Sequence, residues 1–143
     1  MHRAESIMQA ITTNLTGLAT TGANVHRGRV YSLAAVPALS ISMGSDENLS
    51  GSRTWPYLTR RLQVIITAHV KTTTQLETQL NQIKTEVFAA LNADISQGLA
   101  FVIDTELAID EQPELDAEQD QPTARCDMQW TILYRHSNTS TEA

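Results

Sequence analysis

Apolar positions change their period several times along the chain, and each change marks an element. Across residues 3–20, Ile7, Ile11, Leu15 and Leu18 recur at spacings of four, four and three. That spacing gives one face of an amphipathic helix, widened by Met8 and Ala19. Thr21-Gly22 follows, and a glycine past the last periodic residue stops helices because it accepts a left-handed backbone. Residues 24–31 (NVHRGRVY) read as a short polar strand anchored by Val25 and Val30, with Gly28 as a bulge or bend. Residues 38–43 alternate strictly, which turns Leu39, Ile41 and Met43 inward and Ser40 and Ser42 outward. Residues 44–54 (GSDENLSGSRT) have no period and are rich in Gly, Ser, Asp and Asn, the composition of an exposed loop with a mobile tip. After Tyr57, Leu62, Val64, Ile66, Ala68 and Val70 share one face of a long strand. Arg61, Gln63, Thr67, His69 and Lys71 share the other.

The second half repeats the logic. Thr74 and Glu77 form a capping-box pair, the hydroxyl accepting from a first-turn amide and the carboxylate reaching back. Leu76, Leu80, Ile83, Val87 and Leu91 then give a helix with Phe88 and Ala90 alongside, ending near residues 92–94. Phe101, Ile103, Thr105, Leu107 and Ile109 are expected on one face of a further strand, with Asp104, Glu106 and Asp110 on the other. Residues 110–122 (DEQPELDAEQDQP) form an acidic connector with too little apolar surface to order itself. Ala124, Cys126, Met128, Trp130, Ile132 and Tyr134 alternate as a final strand, followed by a polar tail at 136–143. The order of helix, two or three strands, helix and two strands predicts a single α+β domain over residues 1–143. Its sheet is mainly antiparallel, with about four to five strands and both helices packed on one face.

The chain has 143 residues, enough to bury a core without staples, and the lone Cys126, set among core-facing positions, reads as a small core hydrophobe. No continuous apolar stretch follows the first Arg, so neither a signal peptide nor a membrane span is expected, and the protein is read as staying in the cytosol. Without secretion, the glycosylation-like triplets at Asn14, Asn48 and Asn138 are chance matches. Charge adds more than its −6 total suggests. Residues 1–71 hold seven bases (Arg3, Arg27, Arg29, Arg53, Arg60, Arg61, Lys71) against three acids, and the remainder holds three bases against thirteen acids. Such a polar molecule favours oriented, head-to-tail association.

Residues able to do chemistry do not converge in the sequence. His2, His26, His69 and His136 are scattered, which speaks against a zinc site, and no Gly-x-Ser-x-Gly elbow or phosphate-cradling glycine motif occurs. The acids between Asp104 and Asp120 suit a solvated connector better than a carboxylate pair with split pKa values. No catalytic residue, metal or cofactor is expected. Arg53, Arg60 and Arg61 with Trp55 and Tyr57 make one basic, aromatic patch. Because the net charge is negative, and Trp, Tyr and Arg are the residue types of protein hot spots, a protein interface is favoured over nucleic acid.

Four stretches together resemble the tail terminator (tail completion) proteins of long-tailed bacteriophages. They are the opening RAESIMQAITTNLTGL, then VHRGRVYSLAAVPALSISMG, then LTRRLQVIITAHVK, and the closing CDMQWTILYR. The resemblance lies in element order and spacing over nearly the whole chain. It implies a virion subunit, assembled in the bacterial host cytoplasm, that forms a hexameric ring on the head-proximal end of the tail tube. Its implied partners are its own copies, the tail tube protein and the head-tail connector or stopper, with DNA only passing through the lumen and no membrane involved. On that footing Arg27, Arg29, Arg53, Trp55, Tyr57, Arg60 and Arg61 are candidates for inter-subunit or tube contacts. Asp104, Glu106, Asp110 and Glu111 are candidates for an acidic lumen or a basic partner, and reversing Arg60 and Arg61 to Glu is expected to spare the fold while weakening assembly. A neck or stopper subunit is the near alternative, and a small metal-dependent hydrolase or nuclease the distant one.

Overall fold

A computed structural model describes residues 2–28, 37–49, 56–71, 76–111, 114–116, 123–137 and 139–140. The elements in chain order are α1 (Arg3–Leu15), β1 (Val25–Arg27), β2 (Ala38–Asn48), β3 (Tyr57–Lys71), α2 (Leu76–Asn92), β4 (Val102–Asp110), β5 (Glu114–Asp116) and β6 (Thr123–Ser137). One six-stranded sheet runs β1-β2-β3-β6-β4, with β5 also paired to β6. All pairs are antiparallel except β1 with β2, which run parallel. This is the expected α+β fold with its helices packed against the sheet.

The long β3 and β6 form the spine, hydrogen-bonded from Tyr57↔Ser137 to Lys71↔Thr123. Leu62, Val64, Ile66, Ala68 and Val70 of β3 and the alternate residues from Ala124 to Tyr134 of β6 are buried against Ile7, Met8, Ile11 and Leu15 of α1 and Leu80, Ile83, Val87 and Leu91 of α2. The residues between them on both strands point to the sheet's other side, which no described helix covers. The imidazole Nδ1 of His2 caps α1 by accepting from the Ala4 amide at 3.0 Å.

Several boundaries differ from expectation for local reasons. α1 stops at Leu15 because Gly17, not Gly22, is the first glycine to take positive φ (+94°), while the Thr16 amide turns back to Thr12 and Thr13 carbonyls. β1 ends at Arg27 and bends at Gly28 (φ +80°); Val30 lies outside the described residues. Residues 44–48, expected in a loop, continue β2 past a bulge between Met43 and Asp46, because pairing to β3 satisfies their backbone groups. Residues 50–54 and Thr74 of the capping box lie outside the described residues. Ser40 faces the sheet's outer side as expected but is buried there, and Met43 is exposed rather than covered.

β4 departs most from strict alternation. Register shifts between Val102 and Asp104 and between Leu107 and Ile109 each insert a residue, so Val102 and Thr105 are buried while Ile103 and Ile109 are exposed. In the connector, Glu114–Asp116 pairs with β6 instead of staying unordered. β6 itself runs to Ser137, with His136 buried where a polar tail was expected. The remaining connector residues, and 138 and 141–143 of the tail, lie outside the described residues.

Candidate assembly surface

The sheet order turns the charge division along the chain into a division in space. Elements of the basic half supply β1, β2 and β3, and those of the acidic half supply β6, β4 and β5, so the boundary falls between the two central strands. Arg3 is the crossing point: its guanidinium lies 4.8 Å from the Phe101 ring centre and donates to the Arg135 carbonyl on β6.

On the basic side, the described arginines among the sequence candidates already hold carboxylates of the same half. Arg27 on β1 pairs with Glu5 on α1 at 2.6 Å. Arg60 pairs with Asp46 at 3.1 Å, and the Tyr134 hydroxyl donates to the same Asp46 oxygen at 2.7 Å. Burial pulls the Arg60 pKa down, but Asp46 and Tyr134 outweigh it and the net shift is upward; burial and Asp46 together raise that of Tyr134. Arg61 and Glu47, directly across the β2–β3 ladder, approach only to 3.5 Å and stay exposed. Tyr57 is exposed at the start of β3. Arg29, Arg53 and Trp55 lie outside the described residues.

The acidic candidates divide into two kinds. Asp104 folds back to accept the Thr105 amide, and Glu106 projects from the outer strand. Asp110 and Glu111 are tied down instead. Lys84 of α2 reaches Asp110 at 2.9 Å, and the Glu111 carboxylate accepts from Gln129 while its carbonyl accepts the Cys126 thiol at 2.9 Å. Burial lowers the Lys84 pKa, but hydrogen bonds to Asp110 and Cys126 more than restore it; burial raises that of the Cys126 thiol, which keeps it protonated and inert.

The uncovered face carries a lattice of polar side-chain contacts. Gln63 donates to Gln129 at 2.6 Å, Thr67 to Asp127 at 2.7 Å, and Ser40 Oγ lies 3.0 Å from His69 Nε2. The Ser40–His69 pair was not legible in sequence, since 29 residues separate its members and only the β2–β3 register unites them. Ser40 is buried, and Asp127, whose Oδ1 accepts from Thr67, is one of the charges acting on the His69 ring. Burial, then Arg125, lowers the His69 pKa and favours a neutral ring. Among the described residues no group of three or more His, Cys, Asp or Glu side chains could hold a metal ion, and no helix is long and apolar enough to cross a membrane.

Sequence reasoning also missed Gln97. Buried with φ +53°, its amide donates to the Leu91 carbonyl (2.8 Å) and Thr105 (3.2 Å), and accepts from Asn14 (2.7 Å). It thereby joins α1, α2 and β4.

No protein-family model matches the chain, and no curated protein matches it. Among solved structures, a chain of "Virion of native gene transfer agent (GTA) particle" is similar over 92% of this chain and 87% of that one, with 10% identity and a TM-score of 0.45. A likeness at that level carries no weight on function.

Proposed function

We propose that this chain is a structural virion subunit that docks rather than catalyses. It forms a ring, hexameric by the resemblance of its sequence to tail terminators, that caps the head-proximal end of a phage tail tube, ends tube growth and offers a surface to the head connector. The observation that carries the reading is the sorting of charge onto opposite sides of one sheet. Such a molecule presents unlike surfaces at its two ends, and unlike surfaces associate head to tail, giving a ring where the rotation between copies closes. Virion location, tube protein and connector as partners, and DNA as mere passenger all belong to this proposal.

Light scattering on the purified protein, followed by electron microscopy of its mixtures with tail tubes, tests it. Rings seated on one tube end, with elongation stopped, are the expected result; a persistent monomer that ignores tubes overturns it. A stopper subunit would bind the portal side of heads instead. Lack of any hydrolysis or thermal stabilisation with Mg²⁺ or Mn²⁺ is expected, and a clear gain of either revives the hydrolase reading.

A further inference from the structure

On the uncovered face, Thr67–Asp127 and Ser40–His69 each join one strand to its neighbour. Another set of contacts runs on across the sheet. Ser45 Oγ donates to Gln63 Oε1 at 3.5 Å, Gln63 Nε2 donates to Gln129 Oε1 at 2.6 Å, and Gln129 Nε2 donates to a Glu111 carboxylate oxygen at 2.7 Å. The set starts at the β2 bulge, crosses β3 and β6, and ends where the chain leaves β4 for the acidic connector. Three strand spacings of about 4.8 Å put its ends roughly 14 Å apart.

Its sense is dictated from one end. An ionised carboxylate only accepts, so Gln129 turns Nε2 toward Glu111 and leaves its Oε1 for Gln63. Gln63 in turn gives Nε2 to Gln129 and directs Oε1 back at the bulge. Amides aligned in this way polarise one another, and the terminal charge strengthens the nearest bond. The other end is held by shape. Gly44 and Ser45 both oppose Gln63, whose side chain lies across Gly44: a Cβ there would stand 2.7 Å from Gln63 Oε1 and 3.1 Å from its Cβ. Gly44 takes no left-handed φ, so what this glycine supplies is space.

We propose that this oriented chain of amides is a coupling device, which makes the conformation of the β2 bulge and the anchoring of Glu111 at the head of the connector depend on each other. The two states are Gln63 laid across Gly44 and bonded to Gln129, and Gln63 turned out to solvent with Gln129 and Glu111 released. Sites this far apart with no shared partner respond to substitution independently. Here the two sites hold opposite ends of one chain, and the coupling is internal to the fold whatever surface the protein docks on.

Amide hydrogen exchange followed by NMR tests it, with the Glu111 amide, which donates to the Asp127 carbonyl at 3.0 Å, as the distant reporter. Gly44→Ala drives Gln63 off the bulge and is expected to speed exchange at Glu111 about fivefold, the worth of one hydrogen bond, with the centres of β3 and β6 unchanged. Gln63→Ala, which deletes the middle of the chain without crowding the bulge, is expected to give the same rise. In that background the methyl of Gly44→Ala has room, and no further change is expected. Coupling is reciprocal, so Glu111→Ala is expected to speed exchange of the Gln63 side-chain amide protons by a similar factor. A Glu111 amide unmoved by Gln63→Ala, an equal response to Gly44→Ala with and without Gln63, or Gln63 amide protons indifferent to Glu111→Ala each overturns the proposal.

Discussion

Arg60 and Arg61 are adjacent in sequence, yet charge reversal is expected to affect them by very different amounts. Side chains of the Arg60–Asp46 pair are 27% and 19% exposed, against 49% and 60% for Arg61–Glu47. Arg60→Glu would bring a second carboxylate to Asp46 Oδ2, which already receives the Tyr134 hydroxyl, and the buried Asp46 Oδ1 has no partner to compensate. Two like charges about 4 Å apart at an effective dielectric near 20 repel by roughly 4 kcal/mol. Partial exposure and side-chain rotation away from the clash reduce this, so a loss of about 2–4 kcal/mol is expected, or roughly 5–15 °C in Tm. Arg61→Glu is expected to cost about 0–1 kcal/mol. Urea unfolding followed through the fluorescence of buried Trp130 measures both, and Asp46→Lys combined with Arg60→Glu should recover part of the loss. Equal stability of the two single variants would refute the reasoning. An assembly defect in Arg60→Glu therefore reports on the fold, and only Arg61→Glu tests an interface.

Gln97→Leu keeps the volume but removes the donor to the Leu91 carbonyl and the buried Thr105 hydroxyl, so a loss of about 1–3 kcal/mol is expected in denaturant melts. Gly17→Ala forces a side chain into φ +94° and should cost about 1 kcal/mol, read as a shifted urea midpoint with unchanged m-value. His69, with its pKa held below 6.5 by burial, binds fewer protons folded than unfolded. Its contribution is therefore complete above about pH 6.5 and lost as pH falls toward the folded pKa; His69→Gln should flatten that part of the stability–pH curve.

How much of this architecture the sequence disclosed depends on how regular each element is. β3, β6 and α2 were legible because strict periods of two or 3.6 run for four turns or seven alternations without interruption. β2 and β4 were legible only up to their bulges, since an inserted residue flips every later side chain; Gly44-Ser45 reads equally as the start of a loop, and nothing about Ala108 announces an insertion. The end of α1 was misjudged because Leu18 happens to continue the apolar stripe after Gly17 has already turned the chain. Candidate arginines were visible as types, but their partners Asp46 and Glu47 sat in what read as a loop. The Ser40–His69 and Gln97 contacts depend on register and a left-handed backbone, which no local pattern encodes.

The adjacency of β3 and β6 has a consequence for synthesis. About fifty residues separate the end of β3 from the start of β6, and every pairing that seals the middle of the sheet waits for the later strand to leave the ribosome. Until then β3 presents an apolar face and an unmatched central edge, the profile of an aggregation-prone nascent chain. Slow translation through the α2 and β4 codons would lengthen that exposure, so soluble yield should depend on chaperone supply and on growth temperature more steeply than the finished domain's stability suggests.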